Sequence, residues 1–499
     1  MRNSKMHSFI LLVVLLSMAS LSADMNIAVN ITFQETSFTM SQDISGVPYV
    51  WQEVNGFCFP SALSMVLQSM GYDLSLYDIL AASGAGFSMV SISVDEALTF
   101  FPGVMVRQVP WFEFFTDIYG LDMQFYLDSS TEFGWNAKQI LQGWGSDYFD
   151  YSDSASISPV TVMRESIDAG YPLAISVDTY YLPVEDWDII RNYIGPLEPG
   201  GVGHAIVIVG YNDTTQIVRV YDPGVGLIGD TYGYPDDGRW NYTMSYDTLH
   251  DAWGSAGYVT FRISNGTGPV ADFEDRLTSY ITQKLLGNRS AYFEGYENYF
   301  YLSAGADAFR GMALDMNLKA IRDYCTYYLE VEKSTAMRIL GHNLEVMMTM
   351  QYLAFRSSLN VLPDLLPSKD LTQFLSAANE ALPHMEVLSH NASITSGIEI
   401  KSRDTLLYNT FFGMASTFES SHDLDGAISE YSDELEEIST HLIAIADAWR
   451  AAGEFLADEL DRPLSPLGND MMIVIGGSGV VLVIGLVIVI WRRKLGPEE

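Results

Sequence analysis

Gln52-Glu-Val-Asn-Gly-Phe-Cys58-Phe-Pro60-Ser-Ala-Leu-Ser-Met-Val-Leu67 sets a cysteine at the expected start of a helix, with a glutamine six residues upstream. Pro60 fits the first helical turn, where its missing N–H costs little, and Leu63, Val66, Leu67 and Met70 recur at helical spacing until Gly71 ends the run. The positive end of the helix dipole and the unpaired N–H groups there favour a thiolate. The side-chain amide of Gln52 is a candidate donor to the negative oxygen that develops when a thiolate attacks a carbonyl.

The complementary residues come much later, in Gly203-His204-Ala-Ile-Val-Ile-Val-Gly-Tyr211-Asn-Asp-Thr-Thr-Gln-Ile217-Val-Arg-Val-Tyr-Asp222-Pro223-Gly224. Two apolar, β-rich runs flank a polar turn, which predicts a hairpin. With the turn centred near Asp213, His204 and Asp222 fall opposite each other, on the face shared by Ile206, Ile208, Val218 and Val220. Both faces of the hairpin are apolar, the mark of central strands covered on two sides. The chemistry expected is a triad: Cys58 as nucleophile, His204 as base and then acid, Asp222 orienting the imidazole, and Gln52 in the oxyanion hole.

These segments resemble the papain-like peptidase C39 family, in its C39-like branch, which carries V-P-Y-x-x-Q, then C-x-P-x-A, and later G-H-x-x-x-V-x-G-Y and D-P. Here they read Val47-Pro48-Tyr49-Val-Trp-Gln52, Cys58 to Leu67, Gly203 to Tyr211 and Asp222-Pro223. The family usually has Gly after the cysteine; this chain has Phe59, which is expected either to narrow the substrate cleft or to alter the backbone approach to the oxyanion. A second resemblance is to the N-terminal domain of butirosin biosynthesis protein H, a papain-like acyltransferase. It rests on Ser83-Gly-Ala-Gly-Phe87 and on Pro172-Leu-Ala-Ile-Ser-Val-Asp178-Thr-Tyr-Tyr181-Leu-Pro183, and implies substrate contact by Asp178 and Tyr181. Cleavage and acyl transfer share one machinery, so the substrate is either a peptide or another acyl-bearing molecule, and a catalytically silent binding module stands as a third reading. A rival role for the cysteine is a disulfide with Cys325, the other cysteine of the chain.

The chain ends carry their own signals. Arg2, Lys5 and His7 precede an apolar run from Phe9 to Leu16 and small residues through Ala23, which reads as a signal peptide over residues 1–23. Met471 to Trp491 is uncharged, apolar and long enough to cross a bilayer, and Arg492-Arg493-Lys494 follows at once. The expected topology is a single-pass cell-membrane protein with its bulk outside, a stalk at 461–470 and a cytoplasmic tail at 492–499.

With 26 basic against 63 acidic residues, a net charge of −37 opposes binding to nucleic acid or anionic lipid through the ectodomain and reads as a solvated surface. Sequons stand at Asn30, Asn212, Asn241, Asn265, Asn288 and Asn391. Asn265-Gly-Thr-Gly-Pro269 marks a domain boundary. The expected fold is therefore α+β: a papain-like domain over 24–264, its cysteine helix packed on an antiparallel sheet, then an all-α bundle over 270–460 and the transmembrane helix. His342, Glu345, Glu380, His384, Glu386 and His390 cluster in the helical half, but without the Glu-x-x-His spacing of a ferritin-like site. The expectation is no metal and no cofactor, and the oligomeric state is left open.

The topology is open to a direct check. Protease outside intact cells is expected to spare only a small fragment holding Met471 to Glu499, and truncation before Met471 to release soluble protein; protection of the large N-terminal portion would reverse the orientation.

Overall fold

The computed structural model describes residues 40–54, 56–94, 97–102, 116–144, 147–153, 157–188, 203–227, 233–287, 289–295, 298–327, 332–389 and 405–460. The expected signal peptide, stalk, membrane segment and tail, together with Asn30, Asn288, His390 and Asn391, lie outside them. Among the described residues no helix is long and apolar enough to cross a membrane.

The chain builds two compact units, and it passes between them more than once. β1 (Ser41–Asp43) and α1 (Cys58–Ser69) open the first unit. The chain then leaves at Leu76 to form α2 (Leu76–Ala82), β2 (Met89–Val94) and β3 (Ala97–Pro102) in the second. It returns to the first with β4 (Leu121–Leu127), α3 (Glu132–Trp144), β5 (Tyr148–Asp150), α4 (Pro159–Asp168), β6 (Leu173–Asp178), β7 (Gly203–Asn212), β8 (Ile217–Tyr221), β9 (Asn241–Ser245), α5 (Tyr246–Ser255) and β10 (Thr260–Gly266). From Gly266 it stays in the second unit: α6 (Phe273–Leu286), β11 (Arg289–Gly295), β12 (Asn298–Ala304), α7 (Ala306–Asp315), α8 (Leu318–Tyr327), α9 (Lys333–Leu365), α10 (Thr372–Leu388), α11 (Leu406–Ser421), α12 (Leu424–Ser429) and α13 (Ser432–Asp458).

The first unit is α+β. Its sheet runs β5-β4-β10-β6-β7-β8-β9, with β1 on the end of β7. β4 and β5 are parallel, whereas β7 is antiparallel to β6, β8 and β1. β6 is buried along its whole length and β7 at all but its end residues, as expected of apolar strands covered on both faces. Ile175, Val177, Ile206, Ile208, Val218 and Val220 form a core layer against Met163 and Ile167 of α4 and Leu249 and Trp253 of α5. α4 begins where Ser158 accepts the Thr161 N–H at 3.1 Å and Pro159 takes the first turn. α1 lies against β6 and β7.

The β7–β8 hairpin departs from its expected register. Its turn occupies 213–216, with Gln216 at φ 54, so Asn212 faces Ile217 and Gly210 faces Arg219. A bulge between Ile208 and Gly210 then shifts the pairing to Ile208 with Val220 and Val207 with Tyr221. Extending that register puts Gly224 across from His204, and Asp222 one diagonal step away. The later turn alone would have left Asp222 on the wrong face. The extra residue of the bulge restores the parity, and the two side chains meet diagonally.

The second unit corrects the expectation of an all-α bundle. It contains a four-stranded antiparallel sheet, β11-β12-β2-β3, in which β12 pairs with β2 from Phe300–Val94 to Ala304–Val90. The helical periodicity downstream of residue 270 was real, but the sheet is completed by a hairpin from far upstream. That transfer also breaks the expected 24–264 domain, because Tyr77–Leu121 belong with the second unit. α10 runs through Pro383, which lies on its exposed side.

Gly86 tests the packing of the second unit. Its carbonyl accepts the Gln351 Nε2 at 2.8 Å, and an added Cβ would meet Ser358 Oγ and the Ala354 carbonyl oxygen at 2.8 Å. Gly86→Ala is expected to destabilise the protein by about 1–3 kcal/mol in denaturant unfolding, through overpacking against helix backbone. An unchanged midpoint would show that the turn gives way freely.

Candidate active site

Cys58 is the first residue of α1 and is 7% exposed. Phe57 leads into the helix without a side-chain cap, and the ladder starts with the Ser61 N–H on the Phe57 carbonyl at 3.0 Å. The Cys58 and Phe59 N–H groups precede that ladder, at the positive end of the helix dipole.

His204, on β7, is 5% exposed, and Asp222, just past β8, is fully buried. His204 Nε2 and Asp222 Oδ1 are 2.7 Å apart. The Cys58 side chain is near enough to the same imidazole to favour its protonated form. Since Nε2 is taken by Asp222, Nδ1 is left for the thiol. Burial opposes charge on both groups, yet the pair overcomes it: Asp222 raises the His204 pKa above its ordinary value, and His204 with its other donors lowers that of Asp222.

Asp222 has further partners that the sequence patterns did not single out. Trp187 Nε1 donates to Oδ2 at 2.9 Å, the Tyr242 hydroxyl to Oδ2 at 3.1 Å, and the Gly224 N–H to Oδ1 at 2.8 Å. The Trp187 ring also lies 4.9 Å from the His204 ring. A Cβ on Gly224 would come within 2.8 Å of both His204 Cε1 and Trp187 Cζ2, so only glycine permits this approach. The one available signal was the Asp222-Pro223-Gly224 run; nothing local distinguishes Trp187 or Tyr242 from core aromatics.

Gln52 is buried beside this group, its N–H on the Pro223 carbonyl at 3.1 Å. Its Nε2 donates to the Val54 carbonyl at 3.0 Å, which also accepts the Phe57 N–H at 3.4 Å at the helix entry. Glu53, between them, has φ 60 and closes a tight turn with the Val54 N–H on the Gln52 carbonyl at 2.6 Å.

Phe59 packs its ring 4.4 Å from Phe261, which stands edge-on to Phe125 at 5.4 Å. Asp178 is buried and accepts the Tyr180 N–H at 2.9 Å, capping a single turn of 3₁₀ helix; it pairs with Gly203 in the sheet, next to His204. Tyr181 is partly buried and edge-on to Tyr180. Cys58 and Cys325 are both free thiols, so the structure contains no bridge between them, and burial pushes the Cys325 thiol up to about 12. In the helical half, Glu345 accepts the Thr405 hydroxyl at 2.9 Å, and His384 Nδ1 meets His441 Nδ1 at 2.9 Å. Among the described residues, no three His, Cys, Asp or Glu side chains gather as metal ligands.

A helix-borne thiol, an imidazole and a buried carboxylate on an α+β scaffold define a cysteine-peptidase-like domain. Residues 44–251 match the model of the Peptidase C39-like family, and this part of the chain is a C39-like domain. No curated protein matches the chain.

The pair has a pH signature. His204, raised in the folded state, contributes stability that is complete below the unfolded imidazole value of about 6.5 and fades as pH rises through its folded value. Asp222, lowered, contributes above the unfolded carboxyl value of about 3.9 and loses that contribution in acid. Asp222→Asn leaves a buried imidazolium unpaired at low pH, so its melting temperature should fall furthest below wild type near pH 5. The gap should narrow toward pH 9; a constant gap would mean the two groups are not coupled.

Proposed function

We propose that the first unit is a thiol hydrolase of amide bonds, a cysteine peptidase working through Cys58, His204 and Asp222 with Gln52 at the oxyanion. The observation that carries this reading is the buried carboxylate on His204 Nε2 at 2.7 Å, with the Cys58 side chain near enough to the same ring to favour its protonated form.

In the proposed reaction the Cys58 thiolate adds to the substrate carbonyl carbon beside protonated His204. The carbonyl oxygen gains negative charge and takes hydrogen bonds from the Cys58 N–H and from the Gln52 amide proton not committed to Val54. The C–N bond then breaks, its nitrogen takes the His204 Nδ1 proton and leaves as an amine, and the acyl group remains as a thioester. Water loses a proton to His204 and adds to the thioester, the C–S bond breaks, and the acyl group leaves as a carboxylic acid that gives its remaining proton to solvent, returning the thiolate–imidazolium pair. Asp222 stays ionised throughout and holds the ring.

An amine in place of water would make the same site an acyltransferase, as the resemblance to butirosin protein H implies. Export and anchoring, if the terminal segments act as their patterns imply, put this chemistry outside the cell on a short tether.

Cys58→Ala should abolish turnover of an activated ester or peptide while the protein still folds, and His204→Ala should be nearly as damaging because the two act as a unit. Partition of the thioester to water, indifferent to added amines, supports the peptidase; an amine-dependent rate turns it into an acyltransferase. Absence of any Cys58 adduct with electrophilic peptides or thioesters would leave a binding module.

A further inference from the structure

Beside the triad lies a set of aromatic rings that the reaction above does not use. The segment leading to Gln52 is strapped to the loop after Asp222: the Tyr49 hydroxyl donates to the Asp222 carbonyl at 3.1 Å and Trp51 Nε1 to the Val225 carbonyl at 3.0 Å. Trp240 stacks on Tyr49 with centroids 4.0 Å apart and planes within 9°. Tyr234 stands edge-on to Tyr49 at 5.7 Å and to Trp51 at 6.4 Å, and it is 51% exposed.

Two features tie this surface to the reacting centre. Trp51 directly precedes Gln52, and its indole N–H holds the Val225 carbonyl of the loop that follows Asp222 at 3.0 Å. Trp240, in the turn just before β9, accepts the Asp222 N–H on its carbonyl at 3.0 Å, and Tyr242 two residues on reaches the Asp222 carboxylate with its hydroxyl. Tyr234 is a large ring left half in water against Tyr49 and Trp51 of the segment that leads to Gln52, a surface that substrate would desolvate, and its neighbours present faces and edges suited to another ring.

We propose that Trp51 and Tyr234, backed by Tyr49 and Trp240, form a subsite for an aromatic or bulky apolar side chain flanking the bond that Cys58 attacks. The proposal rests on the thiol-enzyme reading for the cleavage step but not for the binding. It assigns the substrate class as apolar at that position.

The test uses the full chain and two peptides that differ only in Phe against Gly beside the scissile bond. Their dissociation constants are measured on Cys58→Ala protein and their kcat/KM on protein with Cys58 intact. The Phe peptide should be preferred in both assays. Tyr234→Ala should weaken the Phe peptide by about tenfold, the scale of a lost apolar contact in a substrate pocket, and leave the Gly peptide unchanged. Tyr234→Phe, which keeps the ring, should restore the preference. Equal treatment of the two peptides by the parent, or an equal change in both on Tyr234→Ala, overturns the subsite. Turnover without Phe preference removes the subsite alone, whereas Phe-selective binding without turnover keeps the subsite and removes the peptidase.

Discussion

A fully buried carboxylate governs this structure. Taking Asp222 out of water costs several kcal/mol unless donors replace the hydration it loses, and removing one partner of such a buried pair typically costs about 3–5 kcal/mol. Its donors come from separate parts of the first unit: His204 on β7, Trp187 from the turn after β6, Tyr242 on β9, and the Gly224 N–H of its own loop. The Tyr49 and Gln52 contacts to the adjoining carbonyls belong to the same convergence. Satisfying one charge thus draws the N-terminal strap, three strand ends and a loop together, and the imidazole that the thiol needs is oriented as a result.

Much of this was legible because it is local. The helix from Cys58 follows from apolar spacing and Pro60, and the β7–β8 hairpin from two β-rich runs around a polar turn. The pairing of His204 with Asp222 was also legible, although for a reason that was incomplete. The turn falls later than its polar residues suggest, and an unmarked bulge near Val209 returns the carboxylate to the correct face. Nothing in Ile206-Val-Ile-Val209 announces a bulge, since any of these residues packs equally well on either side of a covered strand.

What escaped the sequence depends on long-range pairing. Trp187 and Tyr242 look like ordinary core aromatics until Asp222 is placed beside them. The β2–β3 hairpin has strand propensity, but its partner β12 is some two hundred residues away, and no local pattern encodes that choice. Phe59, the bulky residue next to the thiol, has its ring held against Phe261, a partner some two hundred residues away that no local pattern names.

The route of the chain between its units has a practical cost for anyone dissecting it. A fragment ending at Asn265 keeps the excursion of Tyr77–Leu121 but loses β12, so β2 would present a row of unpaired backbone groups to solvent. Such a piece would be sticky whether or not its thiol site were intact. Insoluble material from a shortened expression clone would therefore report on an orphaned hairpin, and a clean excision of the first unit requires bridging Leu76 directly to Asp122.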